Sequence, residues 1–342
     1  MPPPPRRWRP DHDSDDTPLV AIPGTDPHDA PWYRMLPPAP SAPAPSHPAP
    51  PRAPTTEPDD VITIDLTTPM DHLGPALLAA LAAPLPALLT IDPIASRSTY
   101  TSGTAGEYNI TLQFKGPWTV GLQNVFIVAA ERLSATITGD LPNVRVGGTT
   151  VDDIVITAEL AAIDGPGGML GQSGPTALRT GSFLPAAAAM RFDSADASTF
   201  HAQALFDGIV THEMLHAVGF GAIWSHKNLL TEAGFIGPNA MAEYAKLIDA
   251  YAIAHRGSTL LANGTTLAKG AVPVESEGGL VTADAHWAED IFDGELMTGW
   301  LDTQNFGSAM IANPLSALTA ASLRDLGYNV PLRPPVDLFY LG

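Results

Sequence analysis

His212-Glu213-Met214-Leu215-His216, running on into Ala217-Val218-Gly219-Phe220-Gly221, is the stretch on which the fold turns. On an α-helix, positions four apart lie on one face, one turn above the other. His212 and His216 can therefore offer two imidazoles to a single metal ion, with Glu213 beside the open coordination position. Neutral imidazoles as ligands and a carboxylate that takes a proton from water suit a zinc hydrolase. Random order would produce the five-residue pattern on the order of once per hundred chains of this kind, so the surroundings must decide.

Upstream, the sequence reads as alternating strands and helices. Ile110, Leu112 and Phe114 alternate with Asn109, Thr111 and Gln113, the period-two signature of a half-buried strand. Leu122, Val125, Phe126, Ala129, Leu133 and Ile137 recur at helical spacing from Thr119 to a stop at Gly139. Residues 153–158 predict a more fully buried strand, residues 165–174 a glycine-rich loop, and residues 188–192 another strand. That last strand, if it forms the sheet edge above the cleft, could align an extended peptide by main-chain hydrogen bonding. The helix with the two histidines is expected to start near Ser198 or Thr199, where a hydroxyl caps it, and to end at Gly219. Residues 61–64 add a short strand.

Downstream the pattern is less regular. Residues 240–254 look helical, with Tyr244, Leu247, Ile248 and Tyr251 on one side, and no internal repeat is apparent. A last helix spans about residues 315–326, with Ser316 or Asn313 as cap and Gly327 as stop. The order of elements predicts an α+β fold: a mixed twisted sheet with helices packed on it, including the helix of the active site.

Composition narrows the class. Of the 35 prolines, 19 fall within the first 60 residues, a Pro/Ala-rich segment too poor in buriable surface to fold, so residues 1–60 are expected to be disordered. Residues 61–104 form a connecting segment whose most apolar run, residues 75–89, is interrupted by Pro84 and Pro86. It is too short to span a bilayer, which takes roughly 20 apolar residues, and reads as a short buried helix. The net charge of −19, from 17 basic and 36 acidic residues, argues against nucleic acid as partner. With no cysteine, disulfides, thiolate ligands and a cysteine nucleophile are excluded. Residues 1–10 carry prolines and arginines rather than an apolar stretch, so no secretory signal is visible and the compartment stays unassigned. Oligomeric state is equally unassigned.

A catalytic zinc usually has three protein ligands and a water. In the compact pattern HExxHxxGxxH the third histidine would stand at position 222, which is alanine here. Candidates further on are His226, His255 and His286, or a glutamate such as Glu243. His226, in Trp224-Ser225-His226-Lys227, reads as a loop histidine. His286 has the richest surroundings: His286-Trp287, then Asp293-Gly294-Glu295-Leu296-Met297-Thr298-Gly299. Asp290 and Asp293 beside Gly294 lack the ligand spacing of an EF-hand, so a calcium site has no support.

These motifs in this order resemble the leishmanolysin family of metzincin proteases, and especially its bacterial, cysteine-free members. Besides His212–His216, Gly219-Phe220, His286-Trp287 and Glu295-Leu296-Met297-Thr298, the likeness includes residues 152–156, 170–175, 273–275 and 315–328. The resemblance implies His212, His216 and His286 as ligands of one Zn²⁺, Glu213 as the catalytic base, and Met297 as the turn methionine, with Gly219 closing the helix. It implies a metzincin-like peptidase domain over residues 105–335. Its upper part would run to about residue 221, and a smaller, irregular and helical lower part would follow from residue 222. The activity implied is zinc-dependent endopeptidase hydrolysis of protein or peptide substrates. Without cysteine, a thiol-based latency switch is impossible. Two other classes share the pattern: a non-catalytic adhesion or binding module that keeps a zinc fold, and a metal hydrolase acting on a non-peptide bond.

Overall fold

The computed structural model describes residues 61–63 (backbone only), 97–163, 165, 171–277, 282–300 and 313–341. The segment expected to be disordered, residues 1–60, and the apolar helix expected within residues 75–89 lie outside them.

The strands in chain order are β1 (Val61–Thr63), β2 (Thr99–Thr101), β3 (Ile110–Lys115), β4 (Val144–Val146), β5 (Thr149–Val151), β6 (Ile154–Ala161), β7 (Gly171–Arg179), β8 (Pro185–Asp193), β9 (Leu230–Thr231) and β10 (Gly234–Phe235). The helices are α1 (Val120–Thr136), α2 (Ser194–Ala202), α3 (Phe206–Ala217), α4 (Pro238–Ala254), α5 (Glu289–Phe292) and α6 (Ala317–Leu326). The main sheet has six strands in the order β1-β7-β8-β6-β3-β2. It is mixed: β3, β6 and β8 run parallel, while β2, β7 and β1 are antiparallel to their neighbours. The fold is therefore α+β with a mixed sheet, as the sequence predicts.

Local chemistry explains the elements. In β6 buried and half-buried side chains alternate along the strand, as period two requires. Parallel pairing of β3 with β6 needs a crossover, which α1 provides. The Thr119 hydroxyl caps α1 by accepting from Leu122 N, and Leu122, Val125, Phe126, Ala129, Ala130 and Leu133 are buried on it. Phe126 meets Phe114, Trp118, Phe192 and Phe206 edge to face, with ring centroids 4.9–6.1 Å apart. This aromatic cluster joins β3, α1, β8 and α3. Helix α3 also packs on β7 and β8.

Three expectations need correction. Residues 171–174, read as part of a glycine-rich loop, belong to β7. A Cβ on Gly171 would lie 2.8 Å from the Phe192 ring, so glycine there permits close strand packing. Pro175, which has no N–H to donate, sits where the β7–β8 register shifts. Second, β8 is not the sheet edge: β6 and β7 pair with it on either side. Third, the histidine helix does not start at Ser198 or Thr199. The carboxylate of Asp193, at the end of β8, accepts from Ala195 N at 2.7 Å and from Ile163 N at 2.8 Å, so the chain enters α2 directly from the strand. Ala204, with φ of 55°, then redirects the chain, and α3 begins without a side-chain cap.

After α3 the chain forms a second layer from irregular segments and helices. Asp325 of α6 accepts from the backbone N–H groups of Asn239 and Ala240, both at 2.9 Å, capping α4. Ser316 caps α6, and Gly327 ends it in the left-handed conformation, φ 107°. Tyr328 Oη donates to Val218 O at 2.8 Å, tying this layer to the end of α3.

Candidate metal centre

Helix periodicity places His212 and His216 one turn apart on α3, and both are buried. Immediately past the helix, Gly219 takes φ of 108°, a conformation that side chains resist. The turn it makes brings Phe220 O back to His216 Nδ1 at 3.0 Å. Gly221 permits a closer approach still. A Cβ there would lie 2.4 Å from Ala285 O, so only glycine lets the segment before His286 rest against the helix end.

That segment is held by main-chain bonds rather than by long strands. Val274 bridges antiparallel to Trp287, Glu275 N donates to His286 O at 2.9 Å, and Asp284 N donates to Glu275 O at 2.8 Å. The Glu275 carboxylate accepts from Glu289 N at 3.1 Å, closing the loop from the other side. Trp287 N donates to Met297 O at 2.9 Å, which brings in the 295–298 turn.

Three imidazoles meet as a result. His212 Nε2 lies 3.1 Å from both His286 Nε2 and His216 Nε2, and His216 Nε2 lies 3.0 Å from His286 Nε2. Each opposite nitrogen faces a backbone oxygen: His212 Nδ1 and Leu296 O at 2.8 Å, His216 Nδ1 and Phe220 O, and His286 Nδ1 and Thr282 O, both at 3.0 Å. A carbonyl only accepts, so each Nδ1 carries the proton and each Nε2 directs a lone pair into the common space. Burial holds His212 down at about 4 and His286 at about 3, which keeps those two rings neutral. Two nitrogens each about 2 Å from one ion stand no more than about 4 Å apart, and these three satisfy that limit. The donor set fits a metal ion.

Glu213 follows His212 on α3 and is buried. Burial pushes its carboxyl up to about 7, against the opposing effect of the Ser173 hydroxyl, which donates to Oε2 at 2.6 Å. A group poised near neutrality is what proton transfer demands. Ser173 belongs to β7, in the stretch read as loop.

The other candidates lie elsewhere. His226 packs edge to face on Phe183, His255 stacks on Tyr251 with centroids 3.9 Å apart, and Glu243 pairs with Lys246 at 2.7 Å. Asp290 and Asp293 are not part of any potential metal-holding group among the described residues. A second acidic group, Asp140, Asp152 and Asp153, has a structural use: Asp153 accepts from Asn109 N and Leu141 N, each at 2.7 Å. Met297 is buried in the turn whose preceding carbonyl faces His212.

Residues 141–331 match the sequence model of one known family, Leishmanolysin, over more than half of the chain. The chain belongs to the leishmanolysin family. No individual curated protein matches it. Leishmanolysins are metallopeptidases, so the family brings peptide-bond hydrolysis and protein or peptide substrates as its reaction class. The matched span contains all three histidines, Glu213 and the Met297 turn. No described helix of this leishmanolysin is long and apolar enough to cross a membrane.

The sequence reading passed over several residues that build the site. Ser173, Gly221, Glu275 and Glu295 stood inside or beside the quoted motifs, without roles. The signal available for each was proximity to a motif. Nothing in a single sequence separates a buried glutamate from a solvated one.

Proposed function

We propose that this leishmanolysin is a zinc-dependent endopeptidase of metzincin architecture. His212, His216 and His286 hold one Zn²⁺, Glu213 is the general base, and Met297 is the turn methionine beside the centre. The reading rests on one observation above all: three imidazole Nε2 atoms converge within 3.1 Å of one another, while the Nδ1 of each ring faces a backbone carbonyl. The peptidase domain covers residues 105–335, with β3, β6, β7, β8, α1 and α3 above and the part from residue 222 below, while β1 and β2 extend its sheet from residues before 105.

Bound zinc would supply Lewis acidity, polarising the scissile carbonyl and making the attacking water more acidic. The protein's own residues do the rest. Each Nδ1–H, bonded to a carbonyl, holds its ring in the tautomer that presents Nε2. Glu213 accepts the proton of the attacking water and returns it to the leaving amine, a role matched to its elevated proton affinity. Ser173 fixes one carboxylate oxygen of Glu213 by hydrogen bonding. The outer side of β7 from Gly171 to Pro175, beyond the pairing of Thr63 with Ala177, has no strand partner among the described residues.

The test compares purified wild type with Glu213→Gln for zinc content and casein cleavage. Zinc retained and cleavage lost in the variant supports the mechanism. Equal cleavage by the two proteins refutes it.

A further inference from the structure

Glu295 is fully buried, and no step above uses it. Its Oε2 accepts from Met297 N at 2.6 Å; its Oε1 accepts from Ser316 N at 3.2 Å and from the Ser316 and Thr319 hydroxyls at 2.6 Å each. A carboxylate removed from water is costly unless donors fill its lone pairs. Here they come from its own turn and from the first residues of α6, two segments far apart in sequence.

Thr319 extends the connection. Its hydroxyl accepts from Trp287 Nε1 at 2.9 Å while donating to Glu295. Trp287 directly follows His286, and the turn that Glu295 closes presents Leu296 O to His212 Nδ1. One buried side chain therefore reaches both the orienting acceptor of His212 and the neighbour of His286.

We propose that Glu295 is a positioning residue for the metal centre: by anchoring the Leu296–Met297 turn and the Trp287 indole to α6, it sets how His212 and His286 face the ion. The inference rests on reading the histidine triad as a metal site. Acceptors that orient metal-bound histidines typically matter ten- to a hundredfold in affinity. Glu295 acts one bond further out, through the placement of such an acceptor.

The test measures zinc affinity of the full chain by competition with a chromophoric chelator, with the visible spectrum of the Co²⁺-loaded protein as second readout. The variants are Glu295→Gln, Thr319→Val and Thr319→Ser. Glu295→Gln and Thr319→Val are expected to weaken zinc binding about tenfold and to shift the cobalt bands. Thr319→Ser, which keeps the hydroxyl, should restore both. Thr319→Val keeps the carboxylate and carries the test if Glu295→Gln does not fold. Variants with lower melting temperatures but wild-type zinc affinity and cobalt spectra would overturn the positioning role and leave the metal site standing. A wild type that takes up no zinc would overturn both.

Discussion

The two sides of the histidine pocket are built by different means. On one side, α3 delivers His212 and His216 by helix geometry alone, seated on β7, β8 and α1. On the other, residues 272–277 and 282–298 deliver His286 through single bridges, backbone hydrogen bonds and the buried carboxylates Glu275 and Glu295. Regular structure aims the first two imidazoles at the cost of one turn of helix. An irregular segment can aim a third only if buried polar groups substitute for the missing ladder. Chemistry is concentrated on the first side, and placement depends on the second.

The largest effects should come from the ligands, and they should be equal from both sides. His216→Ala and His286→Ala are each expected to lower zinc affinity by well over 100-fold, more than loss of an outer hydrogen-bond partner causes. His226→Ala should leave it unchanged. Chelator competition measures all three, and a His286→Ala protein that keeps its zinc breaks the two-sided account.

Next is a contrast in pH dependence that belongs to α3. Burial raises Glu213 from an ordinary 4.5 to about 7, so between these values the native state holds a proton that the unfolded chain has released. That contribution is present at low pH and is lost as pH rises through the window. Glutamine does not titrate. Metal-free Glu213→Gln should therefore match wild type near pH 4.5 and exceed its stability by about 3 kcal/mol above pH 7. Urea unfolding at pH 5 and pH 8 gives the difference, and a gap that narrows with rising pH contradicts it.

On the irregular side, Glu275→Ala leaves the buried Glu289 N–H without its acceptor and should cost about 2 kcal/mol. The exposed pair Asp249–Lys269, 2.6 Å apart, provides the control, with Asp249→Ala expected to change stability by less than about 0.5 kcal/mol. Equal losses in thermal unfolding would show that the carboxylate under His286 does no more than a surface one. The smallest effect is expected at Ser173→Ala. Loss of a single hydrogen bond to Glu213 should lower kcat by about tenfold or less, with zinc content intact. A Ser173→Ala protein that loses its zinc would contradict that separation.

The same division governs what the sequence revealed. Helices α1, α4 and α6 were legible because apolar spacing and caps at Thr119, Ser316 and Gly327 are local signals. His212 and His216 were legible for the same reason. Strand β7 was not, because Gly171, Gly174 and Pro175 carry turn signals that sheet pairing overrides. The break at Ala204 has no residue signature, since alanine is a strong helix former. His286 stood among four downstream candidates on spacing alone, and family resemblance rather than geometry favoured it. Its approach depends on Gly221 and Glu275, long-range contacts that no local pattern encodes.

The most direct test is anomalous X-ray scattering at the zinc edge from crystals of the zinc-loaded protein. One peak within about 2.1 Å of the Nε2 atoms of His212, His216 and His286 is the predicted result. A fully loaded crystal whose zinc lies elsewhere, or is held by the α3 pair without His286, would contradict it.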